Sequence, residues 1–405
     1  MWRSTRALAC LAAILPAVMA CGPSPAPSGA PPPQDGAAIT RTEGEDIAGA
    51  PGWRCVPFSD STCTDAVAGS AGRYTFTTST TGLAVSWGPA SSDDLVVFLQ
   101  GGGACWDWVT CGGAAPLVDK TAVGGPFGPT EFARDVWARY PASWIRRENL
   151  PAALSDATVV FVPYCTGDVH GGDKVTTYAP LVPGGSSVTW HHVGHANVLA
   201  FLRRLGPTFP SPGKLVVAGS SAGGFGTLAS YVLFRDRWPG ARAYLVDDSG
   251  PPLIGDDIPA STRAAWYASW NLGASLDGFC AGCRSDLSEG LRTLLARYPA
   301  DRMALVEHLQ DAVVRRFYGT YTIDLGNPSL SVIRPVPAST FEANLRKLGT
   351  TVLDPSPNGR YLFSAGDAHP TLDDPGQVTT PPPGLPAWLE QMLSDDPAWR
   401  SVSDP

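Results

Sequence analysis

The sequence predicts an α/β protein with a doubly wound, mostly parallel sheet and a helical insertion. Apolar runs such as LVVFLQ (95–100) and ATVVFVPYC (157–165) alternate with segments of helical period. These runs are continuously apolar, as is typical of parallel strands that are covered by helices on both faces. The repeated order of strand then helix indicates crossover connections between neighbouring strands.

The predicted elements follow in chain order. A helix over about 187–204 comes after the first two strands, and KLVVAG (214–219) is a strand that leads into a helix over 224–238. Later elements are a strand at 243–248, helices near 261–270 and 285–298, a strand at 303–308, a helix over 312–319, a strand at 361–366 and a closing helix at 387–393. Residues 251–300 break the rhythm, so we expect a cap over the carboxyl edge of the sheet, where ligands bind in such folds.

The first 50 residues differ in composition from the rest. Arg3 and Arg6 precede an apolar segment, 8–19, that is too short to span a bilayer and is typical of an export signal. The signal ends in VMAC, which is similar to a bacterial lipobox. We therefore expect residues 1–21 to be a signal peptide and lipid on Cys21 to anchor the protein at the cell surface or in the periplasm. Plain secretion is the alternative.

The composition of the chain also predicts where a linker ends and the folded domain begins. Residues 22–50 are rich in Pro, Ala, Gly and Ser and cannot bury enough apolar surface to fold. Residues 51–405 are then the folded domain, and we expect a monomer. The net charge of −8, without a basic block, argues against nucleic acid as a partner.

Seven of the nine cysteines remain once Cys10 leaves with the signal and Cys21 takes lipid. Outside the cytosol cysteines mostly pair. Local spacing suggests three disulfides and one unpaired residue: Cys55–Cys63, Cys105–Cys111, Cys280–Cys283 and a free Cys165. A redox-active Cys280-Ala-Gly-Cys283 is the alternative, but nothing resembling thioredoxin surrounds it.

The stretch AGSSAGGFG (218–226) contains the motif G-x-S-x-G, with Gly219 and Gly223 around Ser221. It lies directly after a predicted strand and before a predicted helix, which is the context that a nucleophile on a strained turn requires. The N–H of Ala222 is then one donor of an oxyanion hole. Ser220 is interpreted as a structural turn residue.

A serine nucleophile needs a base and an acid, which in the α/β-hydrolase order follow it in the chain. His308 and His369 are the candidate bases. His369 is favoured because its loop follows the last predicted strand. Asp311 is the favoured acid because it precedes a helix at a capping position. Asp248, at the end of the preceding strand, is the alternative.

The second part of the oxyanion hole is predicted in LQGGGACWD (99–107). Glycines after a strand let backbone N–H groups approach a reacting carbonyl, and we assign this role to Gly102 and Gly103. A phosphate cradle is excluded because neither G-x-G-x-x-G nor G-K-[ST] follows.

Five segments, in this order, resemble the pectin acetylesterase family, to which the Notum carboxylesterases belong: FLQGGGACWD, VPYCTGDVHGGD, GSSAGGFGT, QDAVVRRFYG and GDAHPTL. The resemblance covers about 51–405. It implies an α/β-hydrolase fold, a Ser–Asp–His triad with the acid at Asp311, no metal, and removal of O-acetyl groups from pectin or of a fatty acyl group from a protein serine. The sequence is more similar to the exported bacterial branch, and it has Ala104 where plant and animal members usually carry an aromatic residue.

Two other constellations are interpreted as structural. Asp168 and His170 follow a strand and enter a loop near the site, where a loop role is favoured over substrate contact. His191 and His195 would lie one helical turn apart and could supply half of a zinc site. No H-E-x-x-H glutamate and no third ligand accompany them, so we expect no metal and no cofactor.

The function predicted from these observations is an exported serine carboxylesterase that hydrolyses an O-acyl ester. Its acyl group is expected to be acetyl, and its substrate an acetylated polysaccharide. The alternatives are a non-catalytic surface lipoprotein that binds a glycan or a protein on the same fold, and a peptidase.

Overall fold

A ten-stranded mixed sheet organises the protein in the computed structural model, which describes residues 36–68, 74–112, 127–181, 183–322 and 332–405. The strands of the chain are β1 (Glu45–Asp46), β2 (Trp53–Ala68), β3 (Tyr74–Ser86), β4 (Leu95–Leu99), β5 (Thr158–Val162), β6 (Lys174–Tyr178), β7 (Val188–His192), β8 (Lys214–Ser220), β9 (Arg242–Asp248), β10 (Arg302–His308), β11 (Thr320–Thr322), β12 (Val332–Arg334), β13 (Gly359–Ser364) and β14 (Val402–Ser403).

Helices connect most of these strands. The α-helices are α1 (Trp108–Cys111), α2 (Pro129–Glu131), α3 (Gly194–Thr208), α4 (Ala222–Arg237), α5 (Ala260–Trp270), α6 (Gly273–Leu276), α7 (Ser288–Arg297), α8 (Val314–Phe317), α9 (Ala338–Leu348) and α10 (Leu385–Leu393). Wider π-helical turns span Phe132–Trp137 and Gly349–Leu353, and short 3₁₀ turns span Arg147–Asn149, Ala152–Leu154, Gly255–Asp257 and Pro375–Gln377. No helix of the described residues has the length and apolar character needed to cross a membrane.

The sheet has the order β1-β2-β3-β5-β4-β8-β9-β10-β13-β14. From β5 to β14 neighbouring strands pair in parallel, whereas β1, β2 and β3 pair antiparallel and join the sheet through β5. The predicted α/β class with a mostly parallel sheet is therefore confirmed. Two hairpins, β6–β7 and β11–β12, stand outside the sheet.

Apolar layers on both faces explain the continuous apolar runs of the central strands. Alternate residues of β4 enter different cores: Val97 and Leu99 pack with residues of α3 and α4, whereas Val96 and Phe98 pack with residues of α10. Every residue of β4 is buried. Because each face needs apolar side chains, the polar–apolar alternation of a half-exposed strand is absent.

The long N-terminal hairpin was not predicted from the sequence. β2 and β3 have 16 and 13 residues, with a register shift between Phe58 and Cys63. The segment is rich in Thr and Ser and carries no long apolar run, because an antiparallel hairpin at a sheet edge does not have to bury both faces.

The predicted boundary between linker and domain at residue 50 is corrected. Ile39, Ile47 and Ala50 are buried, and β1 pairs with β2. Residues 36–50 thus belong to the folded unit, because a few apolar residues suffice to hold a Gly-rich segment against a formed core. The signal peptide, Cys21 and residues 22–35 lie outside the described residues.

The helix predicted over 187–204 is partly wrong. Residues Val188–His192 form β7, which pairs antiparallel with β6, and the helix α3 begins only at Gly194. β-branched and aromatic residues favour a strand here, and Trp190 is buried against the Cys105–Cys111 disulfide. His191 and His195 therefore do not share one helix face.

One predicted disulfide is also wrong. Cys63 pairs with Cys165, and Cys55 is free and buried, whereas the predictions for Cys105–Cys111 and Cys280–Cys283 are confirmed. Cys55 and Cys63 lie on the same extended strand β2, where eight residues span roughly 26 Å, so they cannot meet. Burial, together with the charges of Glu45 and Glu131, raises the pKa of the Cys55 thiol to about 11.

Candidate active site

Ser221 lies on the turn between β8 and α4 with φ of 58° and ψ of −120°, a strained conformation for a residue with a side chain. Its N–H donates to the carbonyl oxygen of Asp248 at 2.7 Å. The flanking glycines are required for packing: a Cβ on Gly219 would lie 2.3 Å from the Gly223 carbonyl oxygen, and one on Gly223 would lie 2.0 Å from the Leu99 carbonyl oxygen. This geometry is the one that the G-x-S-x-G motif predicts.

Asp311 and His369 are joined by a hydrogen bond. His369 Nδ1–H donates to Asp311 Oδ2 at 2.6 Å. The other carboxyl oxygen, Oδ1, accepts the N–H groups of Val313 and Val314, each at 2.7 Å, at the start of α8. Asp311 is fully buried, and the His369 side chain is 8% exposed. The carboxyl is thus fixed by a helical turn and in turn fixes the ring.

The environment of His369 raises the pKa of its ring. Burial alone lowers that pKa, but the hydrogen bond and charge of Asp311, followed by the charges of Asp248 and Asp373, outweigh the effect. The result lies above the ordinary value of 6.5. Because Nδ1 is engaged by Asp311, Nε2 is the nitrogen that can exchange a proton with another group.

Ser221 and His369 line the same cavity. No hydrogen bond links these two described side chains. Such contacts are often long in a ligand-free enzyme and tighten when substrate binds. The alternative base, His308, is half-buried, and its Nδ1 lies 3.2 Å from the Ala365 carbonyl oxygen.

Asp248 connects the serine turn to the histidine loop. Its carboxyl oxygens accept the hydroxyls of Ser220 at 2.7 Å, Ser249 at 3.0 Å and Thr371 at 2.7 Å. They also accept the N–H groups of Thr371 at 3.0 Å and Leu372 at 2.8 Å. Asp248 is completely buried and makes no hydrogen bond to His369. The alternative acid of the sequence analysis therefore holds the two loops and does not touch the imidazole.

The glycine loop after β4 lies beside Ser221. Gly102 and Gly103 both have positive φ, 149° and 80°, in the region that favours glycine. Gly103 lines cavities on both sides of Ser221, and Ala222 lines one of them. The N–H groups of Gly102 and Ala222 make no hydrogen bond to another described residue.

Two cavities of different character meet at Ser221. The first, of about 680 Å³ including its mouth, has an almost wholly apolar lining. Its walls include six aromatic residues: Trp106, Phe225, Trp266, Trp270, Phe317 and Tyr318. Several wall residues come from α5 and from the connection to α7, within the segment predicted as a cap. No sequence pattern indicated this pocket, because its residues are far apart in the chain.

The second cavity is more polar than the first and larger, at about 1150 Å³ including its mouth. Asp135, Arg139, Tyr140 and Asp373 line it together with His369. Burial and the nearby charge of Asp248 raise the pKa of Asp373 to about 7. None of these four residues was singled out from the sequence, since polar residues in loops have no distinctive spacing.

The remaining candidates have structural partners. Asp168 is fully buried and accepts the Thr166 hydroxyl at 2.6 Å and the Gly194 N–H at 2.7 Å. His170 Nε2 donates to the Gln100 carbonyl oxygen at 2.8 Å. These contacts agree with the predicted loop role of both residues.

Among the described residues, one histidine–cysteine group is close enough to hold a metal ion: Cys105, Cys111 and His192. The two sulfur atoms are joined in a disulfide, so they offer no thiolate. His192 uses both ring nitrogens, toward Thr166 O at 2.9 Å and Tyr178 Oη at 2.8 Å. The donor set does not fit a metal site.

The fold and the site define a serine esterase. A family model described as pectinacetylesterase matches residues 59–304, more than half of the chain, so the chain belongs to this family. Among solved structures, the Wnt deacylase Notum from Drosophila is similar with a TM-score of 0.52 and 17% identity; the match covers 87% of this chain and 95% of that one. None of the curated proteins matches the chain.

The hydrogen bond between Asp311 and His369 generates a prediction for the pH dependence of ester hydrolysis. A base must be neutral, so kcat/KM should rise with pH through the pKa of His369, which lies above 6.5. Asp311→Asn removes the charge that raises this pKa and favours the wrong tautomer. We expect kcat to fall by roughly 10²–10⁴ and the acidic limb to move to lower pH.

Asp248→Asn is the matched control. An amide presents an N–H₂ group to buried donors, so we expect a loss of about 2–4 kcal/mol in unfolding free energy. The kcat per folded molecule should fall much less than in Asp311→Asn. Urea unfolding and pH–rate profiles of both variants decide the assignment: a folded, inactive Asp248→Asn beside an active Asp311→Asn would show that Asp311 is not the acid.

Proposed function

We propose that the protein is an exported serine carboxylesterase in which Ser221 is the nucleophile, His369 the base and Asp311 the acid. One observation carries the proposal: a serine on a strained turn shares a cavity with a histidine whose other nitrogen is bound to a buried carboxylate. Membership of the pectinacetylesterase family supports the same reaction class.

In the proposed acylation step, Ser221 Oγ attacks the carbonyl carbon of the ester, and its proton passes to His369 Nε2. The new C–O bond leaves negative charge on the carbonyl oxygen, which the N–H groups of Gly102, Gly103 and Ala222 would receive. The C–O bond to the alcohol then breaks, and His369 returns the proton to the departing oxygen. Asp311 keeps the ring in the productive tautomer throughout.

In the proposed deacylation step, a water molecule takes the place of the alcohol. His369 accepts its proton while the hydroxide oxygen attacks the acyl carbon. The acid product leaves as the bond to Ser221 Oγ breaks and the proton returns to that oxygen. No metal or cofactor has a role in this scheme.

The two cavities suggest how an ester would lie across Ser221. The apolar cavity suits the acyl group, and the polar cavity with Asp135, Arg139 and Asp373 suits a hydroxyl-rich alcohol. The alcohol part would then be a carbohydrate, as the family resemblance implies. An acetyl group has only one methyl to bury, whereas the apolar lining extends from Trp106 to Leu287. The cavity therefore favours a longer acyl group than the acetyl that the sequence analysis expects.

Export is proposed from the signal-like residues 1–21 together with three disulfides, which form in oxidising compartments. Lipid on Cys21 would tether the domain. In cells that express the full chain, Cys21→Ser should abolish incorporation of radiolabelled palmitate and release the protein from the membrane fraction. If the wild-type chain incorporates no palmitate, the lipid anchor on Cys21 is refuted, and secretion without an anchor is the remaining explanation for export.

Replacement of Ser221 tests the proposed chemistry. Ser221→Ala should lower kcat on p-nitrophenyl esters by on the order of 10⁴–10⁶ without loss of thermal stability. The matched control is Ser220→Ala, because the Ser220 hydroxyl bonds to Asp248 and does not take part in the reaction. It should cost about 1–2 kcal/mol of stability and leave kcat near wild type.

The same assay separates the competing functions. A Ser221→Ala protein with wild-type turnover would overturn the mechanism. Wild-type protein that hydrolyses no ester would favour the non-catalytic lipoprotein, and faster cleavage of peptide anilides than of esters would indicate a peptidase.

A series of p-nitrophenyl esters from acetyl to octanoyl tests the acyl cavity. Each methylene that the cavity buries contributes about 0.8 kcal/mol, so kcat/KM should rise by up to about fourfold per methylene from acetyl to butyryl and beyond. Ala104→Trp places a bulky side chain in the lining and reduces the volume of the cavity, so it should move the optimum toward shorter acyl groups. A wild-type optimum at acetyl would contradict the longer acyl group.

A further inference from the structure

Side chains from other segments hold the glycine loop beside Ser221 by donating hydrogen bonds to its carbonyl groups. Four side chains donate to four of the seven carbonyl oxygens of residues 100–106: His170 to Gln100 at 2.8 Å, Tyr164 to Gly103 at 2.8 Å, Trp270 to Cys105 at 2.6 Å and Ser269 to Trp106 at 2.7 Å. The N–H groups of Cys105 and Trp106 donate to the Gly167 carbonyl oxygen and to Thr110 Oγ1, each at 2.9 Å. The N–H groups of Gly102 and Gly103 are the ones assigned to the oxyanion in the proposed function.

Tyr164 occupies the central position among these donors. It follows β5, which pairs with the strand that leads into the glycine loop. Its hydroxyl accepts the Val169 N–H at 2.9 Å. Because a hydroxyl has a single hydrogen, and the other partner is a carbonyl oxygen, that hydrogen must point to Gly103. The direction of both hydrogen bonds is therefore determined.

The surroundings of Tyr164 keep its hydroxyl protonated and in place. The side chain is 1% exposed, and its ring packs against His170 with centroids 4.7 Å apart. Burial, followed by the charge of Asp168, raises the pKa of the phenol well above its ordinary value. The hydroxyl thus stays a donor across the pH range in which an esterase works.

Gly103 needs such an external constraint. At φ of 80° it has no side chain to restrict its backbone, and glycine moves readily between conformations. Donors that stabilise a transition state are effective only when they are oriented before the reaction. Among the side chains that the structure describes, Tyr164 is the one that donates a hydrogen bond to the Gly103 carbonyl.

We propose that Tyr164 is a positioning residue of the oxyanion site, which orients the Gly102–Gly103 segment through its hydrogen bond to the Gly103 carbonyl. The proposal rests on the proposed function, in which these glycines receive the negative charge. Tyr164 itself lines neither cavity and touches no substrate.

The test is Tyr164→Phe, which removes one oxygen and keeps the ring. We expect kcat to fall about tenfold to a hundredfold, with KM within about threefold of wild type, because the oxyanion forms only in the transition state. Affinity for an alkyl trifluoromethyl ketone, whose adduct with the serine carries an oxyanion, should fall by the same factor as kcat/KM.

Tyr231→Phe is the matched control. Tyr231 is fully buried on α4, and its hydroxyl donates to Asp301 Oδ2 at 2.9 Å, outside both cavities. The Tyr231→Phe substitution should lower the melting temperature and leave kcat unchanged. Active-site titration with a fluorophosphonate gives kcat per folded site, so partial unfolding of either variant does not obscure the result.

Two outcomes overturn the proposal. One is an unchanged kcat per site in Tyr164→Phe, which would make the residue purely structural. The other is a loss that appears in KM alone, which would indicate a role in binding substrate. Neither outcome affects the proposed nucleophile, whose failure would appear instead as an active Ser221→Ala variant.

Discussion

The buried carboxylate of Asp248 is the interaction on which the geometry of the site depends. Asp248 is the last residue of β9. Its carboxylate accepts hydrogen bonds from Ser220 in the serine turn and from Thr371 and Leu372 in the loop that carries His369. Its own carbonyl oxygen holds the N–H of Ser221. Two segments 150 residues apart in sequence are thereby fixed to one side chain, while the His369 ring itself is hydrogen-bonded to Asp311.

The position of Ser221 in the fold places it between an apolar cavity and a more polar one. Ser221 stands at the carboxyl edge, between residues of the helices after β9 and the loops around Asp135 and His369. Phe317 lines both cavities and forms part of the partition between them. Because α8 contains Phe317 and begins at the N–H groups that bind Asp311, the proposed acid and this partition belong to one local structure.

The sequence predicted the fold class and the residues around Ser221 because both depend on local patterns. Buried parallel strands are continuously apolar, and a strained turn needs glycines at fixed spacing. The pairing of Cys63 with Cys165, the hairpin of β2 and β3, and the strand at Trp190 were missed because each depends on contacts between distant segments. The sequence indicated Asp248 only as an alternative acid at the end of a strand, since its partners Thr371 and Leu372 are more than 120 residues away.

The proposed mechanism requires that Ser221, and not its neighbour Ser220, is the residue that the site activates. The most direct measurement is to treat the wild-type protein with diisopropyl fluorophosphate and to locate the adduct by fragmentation of the tryptic peptide that contains both serines. We expect stoichiometric label on Ser221 of the wild-type protein. After the same short exposure to the reagent, Asp311→Asn should carry little label. Label on Ser220, or no label on folded protein, would contradict the proposed mechanism.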